Sequence, residues 1–201
     1  MIKAVLFDLD GVLIDSFESW FEAINATLEK YGLEKISKEN FRKNFWGYDV
    51  KSNLKKFGLG NDAVKYCNEK HFGYLDKIKI LKASGPVLEK ISKMFRIALV
   101  TNSPKNEVME IVKMTKWKFD AIITGDDVND GKPNPEAITK ACKALGIKPK
   151  EALLVGDTKA DVDAGHRAGC IVVGVGIDAD FSINNVSELP AILSYIRKNK
   201  I

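Results

Sequence analysis

The chain has 201 residues, 45% hydrophobic and 29% charged, with a net charge of +4. That length suffices for one domain with a sizeable core and a small insert, and so mild a charge does not argue for a nucleic-acid partner. No apolar run approaches the ~20 residues that span a bilayer and no leader-like segment opens the chain, so the expectation is a cytoplasmic protein without a membrane partner.

Cys67, Cys142 and Cys170 are odd in number and unpaired in spacing, which suits reduced, buried thiols rather than a disulfide frame or a zinc site. The sequence has no glutamine and much lysine and glutamate, a usage that leans towards thermophiles. The positive charge is uneven. Residues 16–82 hold 13 Lys and Arg against 9 Asp and Glu, and the remainder is balanced.

The first element is the apolar run Ile2 to Phe7, which leads into Asp8, Asp10 and Gly11. A short run of this kind, ended by Asp and Gly, reads as a strand buried on both faces followed by a turn. Two carboxylates two residues apart at its end are costly, because at 4 Å they repel by about 4 kcal/mol at an effective dielectric of 20. Either they only cap a turn, or a counter-ion offsets them.

Next comes a helical stretch. Phe17, Phe21, Ile24 and Leu28 recur at helical spacing and Gly32 stops the helix. Asp15 and Ser16 read as its N-cap groups. Ser37 caps a second helix, with Asn40 at the third position. Val50 to Phe57 and Asn61 to Leu75 read as two more. From Gly85 the rhythm alternates. Helices are expected at 87–94, 105–114, 135–145 and 160–168, with strands at 96–101, 119–124, 152–155 and, last, 170–175. Ser187 is expected to cap a terminal helix. Repeated strand–helix units imply right-handed crossovers and a parallel sheet covered on both faces. Ligands of such sheets bind beyond the carboxyl ends of the strands.

Those ends carry chemistry. The first ends in Asp8 and Asp10, the second in Thr101, Asn102 and Ser103. The third runs into GDDVNDGKPNPE with Lys132, and the fourth ends in Gly156, Asp157, Thr158 and Asp161. Hard oxygen ligands suit Mg²⁺. Thr101 and the N–H groups that open the next helix suit phosphate oxygens, and Lys132 supplies a point charge. The plainer alternatives are Thr101 as an N-cap, Lys132 as a loop residue and Asp157 as a turn residue. Asp126, Asp127 and Asp130 read mainly as a solvated loop. His71 reads as a surface residue and His166 as a helix-face residue.

The series DLDGVLIDS, VTNS, GKPNPE and GDTKAD, in that order, resembles the four motifs of the haloacid dehalogenase superfamily. It is most similar to the branch of phosphoglycolate phosphatase and β-phosphoglucomutase. The resemblance implies an α/β fold, a Rossmann-like parallel sheet with helices on both faces, and an inserted α-helical cap. The core would be residues 1–15 and 83–201, and the four-helix cap residues 16–82. Asp8 would be the nucleophile and Asp10 the general acid and base. Asp8, the Asp10 backbone carbonyl and Asp157 would hold Mg²⁺, with Asp161 behind them or as a conditional ligand. Thr101, Asn102 and Lys132 would bind the phosphate, Lys132 also touching Asp8. Arg42, Lys43, Trp46 and Gly47 are candidates for cap specificity, with Trp46 and Tyr48 either cap core or pocket wall.

The implied function is Mg²⁺-dependent hydrolysis of a small phosphorylated metabolite through an aspartyl-phosphate; a monomer is the default expectation, since the sequence does not encode oligomeric state. A phosphomutase uses the same motifs. A non-catalytic phospho-acceptor module is the reading from another class, and neither Asp10 nor a helical cap would be needed for it.

Overall fold

The computed structural model describes residues 1–199. Strand β1, Ala4–Phe7, has no polar side chain and is buried along its whole length. Such a strand cannot lie at an edge, and it forms the centre of a six-stranded sheet. The other members are β4 (Arg96–Val100), β5 (Ala121–Ile123), β6 (Ala152–Gly156), β7 (Ile171–Val175) and β8 (Phe181–Ile183), in the order β5-β4-β1-β6-β7-β8. Every pairing in this sheet is parallel.

Strand pleating sends alternate residues to opposite faces. Val5, Phe7, Leu99, Leu153 and Val155 face one way, towards α5 (Ser84–Ser92), α6 (Lys105–Thr115) and α9 (Leu189–Asn199). Ala4, Leu6, Ala98, Val100 and Leu154 face the other way, towards α7 (Glu136–Ala144) and α8 (Lys159–Ala168). This two-faced burial is why the strands read as continuous apolar runs rather than alternating ones.

The inserted layer comprises α1 (Phe17–Lys30), α2 (Lys38–Asn44), α3 (Val50–Lys55) and α4 (Asn61–Phe72). It has its own core of Trp20, Ile24, Leu28, Phe41, Phe45, Leu54 and Cys67. Burying each large apolar side chain stabilises by about 1.5–3 kcal/mol. Ser37 caps α2 as expected, accepting from Asn40 N at 3.1 Å. The chain leaves and re-enters the sheet through an antiparallel ribbon of β2 (Ile14–Asp15) and β3 (Lys79–Ile80). These strands of two residues each are too short for any periodicity to reveal.

The structure corrects three local expectations. Ser16 stands at the N-cap position of α1, but its side chain makes no cap bond. The strand at 170–175 is not the last, because β8 follows it. Ser187 does not cap the final helix. It lies in a 3₁₀ turn, Val186–Glu188, where its N–H donates to Asn185 Oδ1 at 3.0 Å. An Asn side chain reaching two residues onward makes that local turn more readily than a serine. The three cysteines are free and buried, and among the described residues no helix is long and apolar enough to cross a membrane.

Candidate active site

Asp8 follows directly from β1, so the sheet itself fixes its backbone. Its N–H donates to Val155 O at 2.9 Å. Asp8 is 5% exposed, and its carboxylate lies 2.7 Å from Lys132 Nζ. Lys132 is itself buried, and Nζ also donates to Asp161 Oδ1 at 2.6 Å and to Val100 O at 3.1 Å. All three ammonium protons therefore have acceptors, which removes the loop-lysine alternative.

Burial pushes the Asp8 carboxyl well above its ordinary range; Lys132 pulls it back, and Asp161, Asp10 and Asp157 push it further up. Burial by itself lowers Lys132, but Asp161 and Asp8 outweigh that and hold the ammonium above its usual value. One cation thus faces a cluster in which Asp8, Asp157 and Asp161 each offer a carboxylate oxygen within 4.8 Å of the others.

Asp157 sits beyond the end of β6. Burial raises its carboxyl to about 7, with Asp161 adding to the rise and Trp46 opposing it. Its Oδ2 accepts from Trp46 Nε1 at 3.0 Å, while its Oδ1 is buried without any partner. An orphaned carboxylate oxygen in an acidic cluster fits a hard divalent cation. Gly11 makes the approach possible. Its φ is +80°, and a Cβ there would lie 2.0 Å from Asp157 Oδ2. Asp161 is differently engaged, since Oδ1 takes Lys132 and Oδ2 takes the Thr158 N–H and hydroxyl at 3.1 and 2.5 Å.

Asp10 carries more donors than any neighbouring group. Its Oδ2 accepts from the Ser103 hydroxyl at 2.5 Å and, at a long 3.4 Å, from the Thr101 hydroxyl. Its Oδ1 accepts from Trp20 Nε1 at 3.3 Å and from the Ser16 hydroxyl. This explains why Ser16 does not cap α1. Thr101 is not a helix cap either, because α6 begins after Pro104. Its hydroxyl accepts from Ser103 N at 3.0 Å.

The Asn102 side chain clamps the loops, donating to Gly47 O and Lys132 O at 3.0 and 3.1 Å and accepting from Lys132 N at 2.7 Å. Gly47, with φ +85°, packs so closely on Thr158 that a Cβ would lie 2.6 Å from its Cγ2. The inserted layer is therefore seated on the sheet. Between them lies a cavity of about 50 Å³ lined by Asp8, Asp10, Thr101, Asn102 and Lys132 below and by Trp20, Phe41, Trp46, Tyr48 and Asn53 above.

Trp46 serves both readings given to it, since its ring packs on Phe17 and Phe41 and also lines the cavity. Arg42 and Lys43 are exposed and outside the cavity lining. The Arg42 guanidinium lies over the Phe17 ring at 4.1 Å. The expectation that they face the substrate fails here because α2 turns its apolar Phe41 inward and its charges outward. Asp126 and Asp127 act as local caps, accepting from Lys105 N and Thr124 N at 2.7 and 3.0 Å, and they stand apart from the acidic cluster. His166 is on α8 and half-exposed beside Asp180, but His71 is fully buried, contrary to the surface reading.

Sequence reasoning does not single out Trp20 or Asn53, and it names Ser103 at the second strand end without giving it a role. Ser103 stands two residues after Thr101, in the same turn. Trp20 lies three residues after Phe17 and four before Ile24, on the buried stripe of α1. Asn53 carries no motif signal. Its Nδ2 donates to Phe45 O at 2.8 Å and its Oδ1 is buried without a partner.

Residues 5–175 match the family of haloacid dehalogenase-like hydrolases. The chain is 34% identical over 176 residues to a phosphoglycolate phosphatase of Aquifex aeolicus, covering 84% of this chain and 82% of that protein. It is 28% identical to the pyrophosphatase PpaX of Bacillus cereus, covering 98% and 99%. The fold is similar to that of the crystal structure of β-phosphoglucomutase from Clostridium difficile, with a TM-score of 0.86 at 24% identity and 99% of both chains covered.

Proposed function

The chain belongs to the haloacid dehalogenase-like hydrolase family, and from that premise we propose that it is a Mg²⁺-dependent phosphatase acting on a small phosphate monoester. The observation that carries this reading is the pair Asp8 and Asp10, one paired with a buried lysine and the other ringed by hydroxyl and indole donors, on the floor of one cavity between the layers.

Asp8 is the nucleophile. Its carboxylate oxygen attacks phosphorus and the ester oxygen leaves, giving an aspartyl-phosphate. Splitting the transfer this way replaces one difficult step with two easier ones. Asp10 gives its proton to the departing alkoxide. It then takes a proton from the water that attacks the same phosphorus, which releases phosphate and restores Asp8.

Lys132 neutralises charge on Asp8 and on the phosphoryl oxygens, and Asp161 holds Lys132 in place. The Thr101 hydroxyl and the Asn102 backbone N–H bind the phosphate, since the Asn102 side chain is already committed to Gly47 and Lys132. Asp8, Asp157 and the Asp10 carbonyl would hold Mg²⁺. When bound, the ion offsets the charge of the carboxylates and of the transferring phosphoryl group.

The upper cavity bears on the substrate. Lys132 is the one cationic side chain among the described residues that line it, and the walls are aromatic with Asn53 between them. A second phosphate would have no separate cation there, which supports a monoester rather than a pyrophosphate or the bisphosphate of a mutase cycle.

The test is a phosphate-release screen with and without Mg²⁺, over phosphoglycolate, glycerol phosphate, sugar phosphates and pyrophosphate. Monoesters should be cleaved fastest, and Asp8→Asn should abolish turnover of all of them. Full turnover by Asp8→Asn would remove the nucleophile assignment. An isomerised sugar phosphate without phosphate release would favour the mutase.

A further inference from the structure

His71 lies on α4 of the inserted layer and Glu107 on α6 against the sheet. Their side chains are 0% and 1% exposed, and His71 Nδ1 is 2.7 Å from Glu107 Oε2. This buried ionisable pair ties the two layers together, and the phosphoryl transfer above does not use it. Its neighbours connect it to the site. The imidazole lies flat on the Trp20 indole, with ring centroids 3.5 Å apart and planes 8° apart. That indole donates its N–H to Asp10 Oδ1 at 3.3 Å.

The protons of the pair can be placed. The Ser19 hydroxyl is 2.9 Å from His71 Nε2, and it donates to Ser16 O at 2.8 Å. A hydroxyl has one proton to give, so Ser19 accepts from the ring and Nε2 carries a hydrogen. Burial pushes Glu107 well above the carboxylate range, with Asp10 adding to the rise, and burial pulls His71 down to about 4. Glu107 Oε1 is buried with no partner, a position far costlier for a full carboxylate than for a neutral acid. The proton therefore rests on Glu107, whose Oε2–H donates to His71 Nδ1. The ring is neutral, fixed at both nitrogens, and unable to tilt away from Trp20.

We propose that His71 is a positioning residue for the acid–base carboxylate: docked on Glu107 across the junction of the two layers, it fixes the Trp20 ring and so aims the indole N–H at Asp10. This rests on the reading of Asp10 as the acid–base group. One oxygen of Asp10 is then oriented by the sheet, through Ser103, and the other by the inserted layer. A carboxylate held on both oxygens presents a defined edge to the leaving group, and losing one support costs turnover more than binding.

The experiment compares Trp20→Phe, His71→Gln and the double variant in turnover of an aryl phosphate at saturating Mg²⁺. Trp20→Phe keeps an aromatic ring and deletes the donor. Each single change should lower kcat about tenfold with KM within about twofold, and the double should be no worse than the poorer single, because both act through one hydrogen bond. Wild-type kcat in Trp20→Phe, or losses that multiply, would overturn the proposal. Glu107→Gln still presents an N–H to Nδ1 and should keep kcat within about threefold, whereas Glu107→Ala should match His71→Gln. Glu107→Gln as impaired as Glu107→Ala would overturn the neutral pairing.

A second readout needs no catalysis. The Trp20 indole N–H resonance, identified by its loss in Trp20→Phe, should shift in His71→Gln and Glu107→Ala and stay in place in Glu107→Gln. If the wild type turns over no phosphoester, the phosphatase reading fails while this signal still decides the positioning role. An indole resonance unmoved by His71→Gln and Glu107→Ala overturns it.

Discussion

Asp157 links the metal question to pH. Without a cation, burial holds its carboxyl at about 7, and Asp8 is raised as well. The same groups are ionised above about pH 4 in an unfolded chain. A folded-state value raised above the unfolded one contributes stability that is full at acid pH and lost as pH rises through the folded value. The metal-free protein should therefore lose stability from Asp157 as pH rises between about 4 and 7. A divalent cation needs Asp157 ionised, so protons compete with it at that carboxylate below about 7. Mg²⁺ affinity should rise about tenfold per pH unit up to that point, and the gain in Tm on adding Mg²⁺ should be larger at pH 8 than at pH 5. Calorimetric titration and thermal melts would show this, and a Mg²⁺ effect independent of pH would separate Asp157 from the cation site.

At the level of elements, the start of α8 joins stability to the site. Thr158 caps this helix, accepting from Asp161 N and donating to Asp161 Oδ2, while the other oxygen of Asp161 holds Lys132. One capping box thus fixes the carboxylate that holds Lys132. Thr158→Val keeps the shape and deletes the hydroxyl. It should cost about 1 kcal/mol, typical of a lost N-cap, and lower Tm by roughly 2–4 °C for a chain of this size. Lys132 would also be held less firmly, so kcat should fall along with Tm. A melt shift without any change in turnover would confine Thr158 to capping. The same helix shows where sequence legibility stops. The apolar spacing places a helix at 160–168 but gives Thr158 no cap role, and the engagement of the second Asp161 oxygen by a lysine 29 residues earlier is a tertiary contact.

For the whole molecule, the space between the two layers is about 50 Å³, room for a few water molecules, so a larger substrate requires the inserted layer to shift. Gly47 governs the seating. Because a Cβ there would meet Thr158 at 2.6 Å and the backbone φ is +85°, Gly47→Ala should hold the layers apart. We expect kcat/KM to fall by at least about tenfold, equivalent to about 1.4 kcal/mol, with an unchanged far-ultraviolet circular dichroism spectrum. Retained activity would show that the cavity need not close. The sequence by itself determined the alternating strand–helix order from β4 to β7, the four helices of the insert, and Asp8, Asp10, Thr101 and Asp157 as residues at strand ends, because apolar runs and their terminating residues are local properties of the chain. Only the tertiary structure decided that Ser16 turns from its helix to Asp10, that Arg42 and Lys43 face outward, and that His71 is buried on Glu107. Each of those outcomes depends on which side chains from distant segments meet once the inserted layer sits on the sheet, and no spacing within one segment encodes it.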